Sequence, residues 1–146
     1  MQEIRRDELE QKLVDLARVT RVTKGGKRLS FRACVVIGDS KGQVGYGVAK
    51  GADVAIAITK AVSQAKKRML KPKIINGTLP HEIKQKFKAA RVVIRPGKQG
   101  RGVIAGGVVR TVLELAGYKD AVAKIIGSNN KINNVKATYN ALKRLN

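Results

Sequence analysis

Six cations, Arg18, Arg21, Lys24, Lys27, Arg28 and Arg32, fall within fifteen residues with no acid among them. Guanidinium and ammonium groups at such density suit phosphate oxygens, which arginine contacts two at a time. The paired glycines in K-G-G-K-R (Lys24 to Arg28) tolerate positive φ and mark a turn. The six cations therefore line a strand–turn–strand able to enter a groove or follow a phosphate backbone. The competing reading is a solvated hairpin edge, where lysine discourages sheet-to-sheet pairing. A second run, Lys84, Lys86, Lys88, Arg91, Arg95, Lys98 and Arg101, is also free of acids. Lys84, Lys86 and Lys88 alternate, so in one strand all three leave the same face and repel unless something negative lies opposite.

A third feature is the glycine loop G-K-Q-G-R-G-V-I-A-G-G (Gly97 to Gly107) ahead of a predicted helix, where backbone amides can hold an anion. Its spacing fits neither nucleotide signature. Lys98 is followed by Gln99 rather than Ser or Thr, and three residues separate Gly102 from Gly106. A fourth, V-G-Y-G-V-A (Val44 to Ala49), partly echoes an aromatic RNA-recognition strand but lacks its further aromatics. With 3% aromatic residues and no Trp, a base-stacking platform is poorly supplied, and Tyr46 is expected to pack or to touch sugar–phosphate.

Catalysis has little to work with. Five of the ten carboxylates lie in the first 15 residues, and Asp39, Asp53, Glu82, Glu114 and Asp120 are scattered. Cys34 sits in the most apolar run and reads as a small core residue. His81, the one histidine, lies beside Glu82 in a Pro-bounded turn without a partner. One Cys and one His exclude a disulfide framework and a typical transition-metal cage, so no cofactor is expected. The expectation is not an enzyme.

Composition gives the same direction. Across 146 residues, 31 Lys+Arg against 10 Asp+Glu leave a formal net charge of +21, carried by both halves of the chain. Such a charge repels itself and calls for a polyanion. At 43% hydrophobic residues the chain is no disordered basic tail. No apolar run approaches the roughly 18–20 residues needed to span a bilayer, and the acidic N-terminus has no signal-peptide core. A soluble, cytoplasmic, nucleic-acid-binding protein is the expectation.

The elements that must position these residues follow from pattern. Residues 1–12 read as a mixed-charge arm, helical around Asp7 to Lys12. Strands are expected from Leu13 to Thr23, Leu29 to Ile37 (with A-C-V-V-I the more buried) and Gln43 to Ala49. Asp53 caps a helix with Val54, Ile58, Ala61, Val62, Ala65 and Met69 on one face and Lys60, Lys66, Lys67 and Arg68 on the other, ended by Lys71-Pro72. After Pro72, β-like pieces appear at Lys73–Ile75, Glu82–Lys88 and Arg91–Arg95. A helix follows from Val108 to Ala116, with Val109, Val112, Leu113 and Ala116 inward and Gly117 as its stop. That stripe turns Arg110 away from the core. A strand is expected over Asp120–Ile126, then a last helix capped within Ser128-Asn129-Asn130 and carrying Ile132, Val135, Tyr139 and Leu142 inward. The fold class is α+β, divided as an arm (1–12), a three-stranded antiparallel sheet with one helix (13–71) and a second domain (72–146).

Four ordered motifs resemble ribosomal protein five of the small subunit, in its bacterial form. They are R-V-T-R-V-T-K-G-G-K-R-L-S-F (Arg18 to Phe31), V-V-I-G-D-S-K-G-Q-V-G-Y-G-V-A-K (Val35 to Lys50), G-V-I-A-G-G-V-V-R-T-V-L-E-L-A-G (Gly102 to Gly117) and G-S-N-N-K-I-N-N-V-K-A-T (Gly127 to Thr138). The resemblance runs from about Leu9 to Leu145. It implies a first half similar to a double-stranded-RNA-binding domain, and a second half that is a small two-layer β–α–β–α domain with a left-handed crossover. It implies a structural role in the small ribosomal subunit, bound to rRNA, supporting translational accuracy, with the fourth and eighth small-subunit proteins as neighbours. Within the first hairpin it implies rRNA contact near the spectinomycin pocket over Val19 to Lys27, which includes Thr20, Gly25 and Gly26. It assigns Lys98, Arg101 and Arg110 to a protein interface, although P-G-K-Q-G-R-G stands where many members carry an acid. The alternatives are a free-standing binder of double-stranded RNA or DNA and, further off, a phosphate-handling enzyme using the glycine loop.

Overall fold

The computed structural model describes residues 9–145, the side chains of Arg21, Thr23, Lys27 and Arg28 excepted. Three antiparallel strands, β1 (Glu10–Thr23), β2 (Gly26–Gly38) and β3 (Val44–Gly51), form one sheet in that order. Asp7 lies outside the described residues. Glu10, Gln11 and Lys12, expected in a helix, begin β1 instead, opposite Gly38, Ile37 and Val36. Pairing along the whole edge of β2 outweighs the local helical pattern of a short polar segment.

Helix α1 (Val54–Lys67) lies on this sheet. The Asp53 carboxylate accepts from the Ile56 amide at 2.8 Å, the cap its position suggested. Ala57, Ala61 and Ala65 face the sheet, and β3 meets them with glycine. A Cβ on Gly45 would stand 2.5 Å from Ala65 O, and one on Gly47 would collide with the Ala61 backbone. The glycines of V-G-Y-G-V-A thus let helix and sheet approach closely, which explains the motif without any base-stacking role.

The second half builds a mixed sheet in the order β4–β5–β7–β6, from β4 (Ile83–Phe87), β5 (Ala90–Pro96), β6 (Val103–Ile104) and β7 (Ala121–Gly127). Helix α2 (Gly107–Ala116) links the parallel neighbours β6 and β7, and α3 (Lys131–Arg144) closes the chain. Gly117 ends α2 at φ 105°, and the Asn130 carboxamide accepts from the Ile132 and Asn133 amides at the start of α3. Three expectations need correction. The piece Lys73–Ile75 is reduced to one bridge between Ile75 and Thr78. Asp120 precedes β7 rather than opening it. The glycine loop contains β6, two residues too few to show a period.

From Ala33 to Ile37, β2 is buried on both faces, in line with its expected place as the more buried strand. Ala33, Val35 and Ile37 pack toward α1, while Cys34 and Val36 join Val92, Ile94, Val109, Val112, Leu113, Val135 and Leu142. Residues on either side of the expected division at 71/72 therefore share one core. Burial, then the Asp15 carboxylate, raises the Cys34 thiol to about 11, leaving it protonated at neutral pH.

Candidate nucleic-acid interface

The register of the first hairpin decides where its cations stand. β3 pairs with β2 only as far as Phe31, which is opposite Arg18 on β1. Beyond that rung come five more: Val19–Ser30, Thr20–Leu29, Arg21–Arg28, Val22–Lys27 and Thr23–Gly26. At about 3.4 Å per residue, a two-stranded arm extends about 17 Å past the end of β3. Lys24 and Gly25 form its turn, and Gly26 follows at φ 136°, a conformation that suits glycine. Arg18, Thr20, Lys24, Gly25 and Gly26 are exposed. Arg21 stands opposite Arg28 in the ladder.

Arg32 sits apart from the arm. It is half-buried beside β3, 3.9 Å from the Asp15 carboxylate. Asp15 lies three residues before the acid-free run, so a search confined to that run does not meet it.

The second run of cations divides among three places. Lys84 and Lys86 share the outer face of β4 with Arg91 and Arg95 of β5, opposite the face that packs on the helices. Lys88 leaves that face: it lies in the β4–β5 turn at φ 52°, with its ammonium 5.8 Å from the Phe87 ring centroid. The strand ends one residue too early for three lysines to align. The run also has an acid at its margin, since Arg95 Nε donates to Glu82 at 2.8 Å. Lys98 and Arg101 are exposed in the glycine loop, where the Arg101 amide donates to Lys98 O.

Arg110 points outward as its helical position required, but it is not without a partner. Its Nε donates to Glu114 one turn later at 2.8 Å. The i,i+4 spacing of these two residues was legible in the sequence and is the signal that finds the pair.

Two residues outside both runs shape these surfaces. Buried Asp120 accepts from the Gly102 amide at 2.9 Å and pins the glycine loop to the sheet. Lys124 of β7 stands across from Val93 and joins the outer face from a distant part of the chain. Tyr46, by contrast, is used internally. Its ring meets Tyr139 edge-on at 4.9 Å and Arg68 at 5.1 Å, while Tyr139 donates to Arg68 O. Among the described residues no three His, Cys, Asp or Glu side chains gather where they could hold a metal ion.

A family model described as ribosomal protein S5, N-terminal domain, matches residues 9–71, and one described as ribosomal protein S5, C-terminal domain, matches residues 85–146. The small ribosomal subunit protein uS5 of Hydrogenobaculum sp. (strain Y04AAS1) is 47% identical over 138 residues, covering 94% of this chain and 73% of that protein. Its counterpart in Thermotoga neapolitana is 46% identical over 145 residues, covering 99% of this chain and 82% of its own length. The uS5c protein of Cyanophora paradoxa is 51% identical over 137 residues, covering 93% and 81%.

Proposed function

The chain belongs to the ribosomal protein S5 family, and from that premise we propose that the β1–β2 arm is its principal hold on small-subunit rRNA. The chain is a structural, non-enzymatic component of the small ribosomal subunit, where it associates with rRNA and other ribosomal proteins in support of translation. One observation carries the assignment to the arm: a two-stranded ladder reaches five rungs beyond the third strand with cations on both strands and no acid. Arg18, Arg21, Lys24, Lys27 and Arg28 supply positive charge along it, Thr20 a hydroxyl, and Gly25 and Gly26 a tip without side chains. A groove or a run of phosphates gives such an arm its counter-charge, and few apolar atoms need be covered.

Arg32, at the base, and Lys86, Lys88 and Arg91, at the β4–β5 turn, extend the footprint. The glycine loop and α2 present Lys98, Arg101 and Arg110 to a neighbouring protein, for which the fourth small-subunit protein is the candidate, with the eighth as a second neighbour. Arg110 would reach such a neighbour together with Glu114, as a pair. Co-sedimentation of the tagged chain with small ribosomal subunits through a high-salt cushion tests the reading. Retention in small subunits supports it. Release of the intact chain at salt that leaves other ribosomal proteins bound contradicts it.

A further inference from the structure

The outer face of the second sheet is not simply basic. Lys84, Val93 and Lys124 stand side by side across β4, β5 and β7, Arg95 stands opposite Val122, and Ile126 lies at 44% exposure. Together they line a shallow depression of about 460 Å³, with valine and isoleucine as its floor and three cations as its rim. Ile104 of β6, beside Val122 and 51% exposed, continues the apolar floor toward the sheet edge.

A phosphate backbone gains nothing from a floor of branched aliphatic side chains, and there is no aromatic ring among them on which a base could stack. An apolar patch with a charged rim is instead the pattern of a protein–protein contact. A second copy of this chain is disfavoured, because its net charge of +21 would bring like charge to a cationic rim. We propose that this face docks an acidic protein surface of the small subunit, apolar at its centre and flanked by carboxylates that meet Lys84, Arg95 and Lys124. Lys84 and Arg95 then serve a protein rather than rRNA, and Glu82 orients the Arg95 guanidinium from the side. The inference rests on the ribosomal reading and names the chemistry of one partner within it.

The test uses chain assembled into small subunits in cells, with the photoreactive residue benzoylphenylalanine in place of Ile126. Irradiated subunits are purified and the adduct is mapped after nuclease or protease digestion. The expected adduct resists nuclease and maps to a ribosomal-protein peptide with Asp or Glu beside the attachment point. Charge reversal by Lys84→Glu with Lys124→Glu, both exposed positions, is expected to reduce its yield about tenfold or more while the chain stays in the subunit. An rRNA adduct, a peptide without acids, no adduct in subunits that contain the chain, or a yield indifferent to charge reversal overturns the proposal. Absence of the chain from small subunits overturns the ribosomal reading itself, and this proposal with it.

Discussion

The β1–β2 arm and the outer face of the second sheet each carry several cations, and they hold them in different ways. On the arm, the rungs from Thr20–Leu29 to the tip have no third strand beside them, and Val22 at 75% and Leu29 at 43% exposure show how little they bury. On the second sheet, each cation of β5 alternates with a core residue: Arg91 and Arg95 flank fully buried Val92 and Ile94. The arm's charge can be altered without touching the core, whereas the sheet's charge is positioned by it. Cations placed by a bare ladder suit a long polyanion. Cations placed around an apolar floor suit a surface of matching shape.

The largest expected effect tests the independence of the arm. Replacing Arg21, Lys24, Lys27 and Arg28 with Ala should lower the log–log salt dependence of binding to small-subunit rRNA by about 3 units. The free energy of unfolding should change by no more than about 0.5 kcal/mol per site, as for surface positions. An unchanged slope in the folded variant would break the comparison. Next in size is Ile94→Ala, one residue from Arg95, which should cost about 2–5 kcal/mol of stability by urea denaturation. A loss well under 1 kcal/mol would mean that the second sheet is not held as described. Gly26→Val comes third. Its φ of 136° resists a branched residue by about 1–3 kcal/mol, enough to redirect the tip. Altered spectinomycin sensitivity with near-normal subunit abundance is expected, and normal sensitivity with the variant incorporated would detach the tip from that pocket. The smallest effect on stability is that of Arg110→Ala, about 0.3–0.5 kcal/mol from the exposed Glu114 pair. A raised misreading rate in a reporter would place the pair at a neighbour, whereas wild-type accuracy would leave it as surface.

Much of the fold was legible because its strongest signals are local. The run A-C-V-V-I marked the more buried strand, Asp53 the start of α1, and Gly117 the end of α2. The hairpin was legible for the same reason, since its cations and its glycine turn fall within one short stretch of the chain. What escaped depends on contacts between distant segments. Two residues of β6 show no periodicity, and only their pairing with β7 makes them a strand. Lys124 joins Lys84 through two rungs of a sheet whose strand order does not follow the chain. Glu82 reaches Arg95 across a hairpin, thirteen residues away. The terminal polar segment Glu10–Lys12 was misread because edge pairing, invisible locally, outweighs its helical pattern.

The most direct measurement of the central claim is cleavage of rRNA from a probe tethered at the arm's tip. Gly25→Cys places a thiol where a Cβ meets nothing within 4 Å, and the native Cys34 is buried and protonated, so an iron–chelate maleimide labels position 25 alone. In small subunits assembled with this chain, hydroxyl radicals from the tether should cut small-subunit rRNA at a confined set of nucleotides. A tether at exposed Lys60→Cys on α1 should give a weaker, different pattern. Cleavage at background level from position 25, in subunits shown to contain the labelled chain, would contradict the assignment of the arm to rRNA.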